Sequence, residues 1–101
     1  MKVEDFQRSL SANEPPPGLT EALVALWWDA RGDWERAHSY AQEDEGPAGA
    51  WVHAYLHRKE GQQSNADYWY RRAGSEFRRP TFEAEWSALV EGLLTARSDT
   101  R

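Results

Sequence analysis

Residues 26–42, LWWDARGDWERAHSYAQ, lie over residues 55–71, YLHRKEGQQSNADYWYR, when the chain is slid by 29 positions. Gly32 then meets Gly61, Ala37 meets Ala66 and Tyr40 meets Trp69. Just upstream, Ala25 meets Ala54. These are the positions that a helical hairpin constrains most: glycine where the chain reverses, and alanine where two helices cross closely. The overlay therefore predicts two successive helical hairpins.

The punctuation of the rest of the chain agrees. The segment NEPPPGLTEA, with three prolines and a glycine, cannot continue a helix. It separates a short N-terminal helix (1–12, with Val3, Phe6 and Leu10 at helical spacing) from the body, as a linker over 13–19. Thr20 is placed to cap the next helix, whose inward stripe is Leu23, Leu26, Trp27 and Ala30, stopping at Gly32. A second helix spans 33–43, with Ala37, Tyr40 and Ala41 inward, and EDEGP breaks it at Gly46 and Pro47. The third covers 47–60 and closes at Gly61. The fourth, capped by Ser64 or Asn65, carries Ala66, Trp69, Tyr70 and Ala73 and ends at Gly74. Pro80 and Thr81 open a fifth over 81–96, with Trp86, Leu89, Val90, Leu93 and Leu94 on one face, and the tail from Ala96 should fray. No segment alternates with period two, so the fold class is all-α, with short connections between antiparallel neighbours.

The wording RGDWERAHSYAQ resembles the turn and second helix of a tetratricopeptide repeat, in Gly32, Asp33, Trp34 and Ala37. The second unit repeats the spacing at Ala66, Tyr70 and Ala73, and NADYWYRRAG is similar to the related Sel1-like repeats. The resemblance implies two repeats, 20–45 and 47–74, closed by a capping helix at 81–96, as one domain. The chain departs from that pattern in its 29-residue spacing, in Asp44 standing where the second unit has Ala73, and in a third unit without a second helix. The third helix is also similar in wording to small uncharacterised bacterial proteins, a likeness that implies no activity.

Composition narrows the function. At 101 residues and 40% hydrophobic, with six Trp, the chain is a single globular domain rather than a disordered one. Its net charge of −5, without a long basic run, argues against nucleic-acid binding. Arg71, Arg72, Arg78 and Arg79 alternate with Asp67, Glu76 and Glu83 and read as solvated surface. The absence of cysteine excludes disulfides and thiolate chemistry. MKVEDFQRSL lacks the apolar run of a signal peptide, and no stretch approaches the ~20 apolar residues of a membrane span. A cytoplasmic protein is expected, with no membrane partner.

The stretch most suggestive of chemistry is WVHAYLHRKEG at 51–61. A helical wheel sets Trp51, Val52, Ala54, Tyr55 and Leu56 on one face and His53, His57 and Glu60 on the other. The repeat resemblance implies otherwise: His53 and His57 pack against a partner helix, while Trp51, Tyr55, Arg58 and Lys59 line a concave surface that grips ligands. An HxxxH pair also puts two imidazoles on one side, as zinc sites require. Glu60 lies three residues on, and His38 or Asp67 stands ready on neighbouring helices. The glutamate of HExxH is missing. A Ser-His-Asp arrangement could be assembled from Ser39, His38 and Asp67, but almost any chain offers such residues, and no nucleophile elbow or phosphate loop is present, so catalysis is not expected.

The leading expectation is a non-catalytic interaction module without cofactor or metal. It would bind a protein or peptide, or a second copy of itself, through Trp51, Tyr55, Arg58, Lys59, His53 and His57. The alternative is a small-ligand or metal-binding protein using His53, His57 and Glu60. The hairpin register is testable at once. Ala66→Leu should overpack a close helix crossing and cost roughly 1–3 kcal/mol in denaturant unfolding; a neutral result overturns the register.

Overall fold

The computed structural model describes residues 1–74 and 80–99, with side chains through Ala96. Glu76, Arg78 and Arg79, read above as solvated surface, lie outside the described residues. Among those described, six α-helices and no strands are present: α1 (Val3–Ser9), α2 (Glu21–Ala30), α3 (Trp34–Glu43), α4 (Pro47–Lys59), α5 (Gln63–Ala73) and α6 (Phe82–Asp99). No helix among them is long and apolar enough to cross a membrane.

The helix ends follow the local chemistry. Thr20 Oγ1 accepts from Leu23 N and Asp33 Oδ1 from Arg36 N, satisfying orphan amides at the starts of α2 and α3. Pro47 opens α4 in the first turn, where its missing N–H costs nothing. Gly32 and Gly61 reverse the chain at φ +83° and +82°, and Gly74 ends α5 at φ +70°. Three expected boundaries differ. α5 begins at Gln63 behind Gln62, with no side-chain cap from Ser64 or Asn65. α1 stops at Ser9, and beyond it the carbonyls of Leu10 and Ala12 accept from Arg31 Nη1 at 2.6 Å each. α6 runs to Asp99, three residues beyond the expected end at Ala96.

α2 packs on α3 and α4 on α5, and α3 joins α4, so the four form two adjacent hairpins. α4 is the central helix, in contact with α2, α3, α5 and α6. Leu23, Leu26, Trp27, Ala37, Ala41, Val52, Leu56, Leu89 and Val90 fill the core. Ala30, expected inward, is exposed, and Asp29 takes the last inward turn of α2 instead. Tyr40, Trp69 and Ala73 are only partly buried. α6 lies against α2 and α4 as well as α1, and Trp86 Nε1 donates to the Leu26 carbonyl at 3.0 Å. The N-terminal helix docks: Phe6 is fully buried beside the Trp86 ring, and Ser9 Oγ accepts from Trp27 Nε1.

One corner has no room. A Cβ at Gly49 would sit 1.9 Å from the Asp44 carbonyl oxygen, which is backbone and cannot step aside. Gly61 has open space but a left-handed φ. Gly49→Ala should therefore cost roughly 3 kcal/mol by overpacking, and Gly61→Ala about 1 kcal/mol through strain alone. Thermal melting checks the order; a Gly49→Ala protein melting no lower than Gly61→Ala refutes it.

Candidate metal centre

The three histidines of the chain come together between α3 and α4. His38 projects from α3, one residue beyond the buried Ala37, and is partly exposed. His53 and His57, four residues apart on α4, point the same way and are buried, at 5% and 8% exposure. One ring nitrogen from each lies within 4.8 Å of the other two, and no other triad of His, Asp or Glu among the described residues is so arranged. The partner-helix placement that the repeat resemblance implied for His53 and His57 matches this geometry; the helical wheel, which set them toward solvent or a groove, did not anticipate their burial. A wheel records direction only, and here α3 and α5 cover the polar side of α4 as well.

Aromatic rings frame the cluster. His53 stacks on Trp69 of α5 at 4.0 Å, and His38 stacks on Trp34 at 4.7 Å. His53 and His57 stack on each other at 4.8 Å. Trp34 is fixed by its indole N–H, which donates to the Leu56 carbonyl at 3.1 Å. His53 Nε2 and His38 Nε2 are 2.8 Å apart, a distance that requires one proton between them. His57 Nδ1 donates to the Gln62 amide oxygen at 2.7 Å, so the bond to Gln62 uses Nδ1 and not Nε2. Burial pushes the His53 imidazole down to about 4, with the neighbouring His38 and His57 adding to the effect. His38 is lowered as well, mainly by burial and then by His57, while Glu60 opposes the shift. Both rings are therefore neutral, the form that binds a metal.

Glu60 is exposed and is not part of the triad; His38 takes the third place that the sequence reading gave to Glu60. A cleft of about 430 Å³ reaches His53 between the α3–α4 connection and α5, along Asp44, Glu45, Gly46, Trp69 and Arg72.

The remaining residues singled out on α4 are engaged within the chain. Trp51 Nε1 donates to Glu85 Oε2 at 3.3 Å. Arg58 pairs with Glu85 Oε1 at 2.7 Å, donates to the Pro80 carbonyl, and lies over the Phe82 ring. Tyr55, 2% exposed, donates to Asp29 Oδ2 at 2.9 Å, and burial followed by the Asp29 charge raises its hydroxyl pKa. Lys59 Nζ holds the other Asp29 oxygen at 2.9 Å. α6 packs against α2 and α4 on this side, and a cleft of about 350 Å³ remains along Asp29, Tyr55, Lys59 and Trp86. Asp29, Gln62 and Glu85 were missed by the sequence reading. Glu85 was signalled by standing four residues before Leu89, and Asp29 by following Leu26 at three, each on an apolar stripe.

The lowered His53 pKa sets a sign. The folded state favours the neutral ring, so the unfolded chain takes up protons at higher pH. Stability from this group is present above about 6.5 and is lost as pH falls toward about 4. The metal-free protein should melt at progressively lower temperature across that window, and His53→Phe should flatten the slope. Identical slopes for the two proteins would refute the assignment.

Compared with protein-family models, with curated proteins and with solved structures, the chain matches none.

Proposed function

We propose that this chain is a small tetratricopeptide-like protein that holds one divalent first-row transition-metal ion on His38, His53 and His57. The repeat part of this reading is supported by the equivalent left-handed glycines, Gly32 and Gly61, and by the fully buried alanines Ala37 and Ala66 at matching positions. α6 serves as the cap.

The observation that carries the metal reading is the convergence of all three histidines of the chain on one point. Metal–imidazole bonds of about 2.0–2.1 Å set tetrahedral ligand nitrogens about 3.3 Å apart. The 2.8 Å pair would open by about half an ångström, the ion replacing the proton that the two rings share. Gln62 does what an outer partner of a ligand histidine does, holding the tautomer and the ring plane of His57. Imidazole donors without thiolate favour zinc, copper, nickel or cobalt over magnesium or calcium.

The interaction-module reading has less to stand on. Trp51, Tyr55, Arg58 and Lys59, which would have gripped a peptide, bond instead to Glu85 and Asp29 of the same chain.

Calorimetric titration of the metal-free protein with Zn²⁺ should give one equivalent bound. At a free metal concentration of about 100 Kd, stability should rise by about 2.7 kcal/mol. His38→Phe and His57→Phe, shown by circular dichroism to be folded, should lose both effects. The absence of heat and of a melting shift with Zn²⁺, Cu²⁺, Ni²⁺ and Co²⁺ would overturn the proposal.

A further inference from the structure

The triad fills three positions around an ion, and no fourth His, Asp or Glu joins it among the described residues. Sites of three imidazoles characteristically leave a position for an external ligand. His53, alone of the three, also forms part of the wall of the 430 Å³ cleft, a space large enough for a small molecule.

On the same wall stands Arg72. Its guanidinium is exposed, lies over the rings of Trp69 and Tyr68 at 5.2 and 5.8 Å, and donates to the Tyr68 hydroxyl at 3.1 Å. Trp69 in turn stacks on His53. Arg72 forms no salt bridge among the described residues, whereas the more buried Arg58 is paired. Three neutral imidazoles leave the charge of a divalent ion uncompensated, and Arg72 adds another positive charge. Asp44 and Glu45 on the opposite account make the cleft unsuited to a multiply charged anion. Asp44 Oδ1 is already held by Gly46 N at 3.0 Å.

We propose that the ion held by His38, His53 and His57 keeps one coordination position open to this cleft, where a small carboxylate binds it with Arg72 as its second contact. This rests on the metal-binding reading above. One carboxylate oxygen donates a lone pair to the ion, displacing water; the other accepts from the planar guanidinium fork.

The test uses the full chain loaded with Co²⁺, whose visible absorption reports its coordination, titrated with acetate. Saturable spectral change is expected in the wild type. In Arg72→Gln, acetate should bind about tenfold more weakly for loss of one charge-assisted hydrogen bond, with Co²⁺ affinity unchanged. If Co²⁺ binds through the histidines but acetate leaves its spectrum unaltered, the open position is refuted while the metal site stands. Equal acetate affinity in wild type and variant refutes the part given to Arg72. If Co²⁺ does not bind, both readings fall together.

Discussion

A single carboxylate decides how this chain closes. Glu85, 4% exposed, accepts from Trp51 and Arg58 of α4 and, at 2.5 Å, from the Tyr70 hydroxyl of α5. A buried charge is tolerable only when its desolvation is offset by several donors, and here a cation, a phenol and an indole provide them. Asp29 repeats the arrangement on a smaller scale, joining α2 to Tyr55 and Lys59 of α4. α4 is thus tied by polar bonds on one side and by the histidine cluster on the other, with almost no free face.

The histidine cluster carries a cost. Apolar residues of similar volume would fill the space between α3, α4 and α5 without desolvating imidazole nitrogens and without exposing the fold to acid. Instead the chain places all three of its histidines there, clamps two of them between tryptophans, and aligns a third with Gln62. Proximity to a cleft distinguishes this polar group from Glu85, whose oxygens are already matched by donors.

The helices were legible because their ends are written in local chemistry: Thr20, Pro47, Gly32, Gly61 and Gly74 act within a few residues of themselves. The burial of Leu23, Leu26, Trp27, Leu89 and Val90 followed from spacing. The seat of α6 did not, because it depends on pairings such as Trp86 with Leu26, sixty residues apart, that leave no local pattern. For the same reason His53 and His57 were visible as a pair while the third member was uncertain. Whether Glu60, Asp67 or His38 completes the set depends on how α3 turns against α4, and only the packing fixes that.

The stacking of Trp69 on His53 and of Trp34 on His38 has an electrostatic consequence. Trp69 lies 4.0 Å from His53 and Trp34 lies 4.7 Å from His38, so a positive charge gained by either imidazole acts on an indole at close range. The indoles of Trp27 and Trp86 donate instead to Ser9 and Leu26, at the α1, α2 and α6 contacts. Four of the six tryptophans thus divide into two pairs, one beside the polar centre and one at the contacts of the terminal helices.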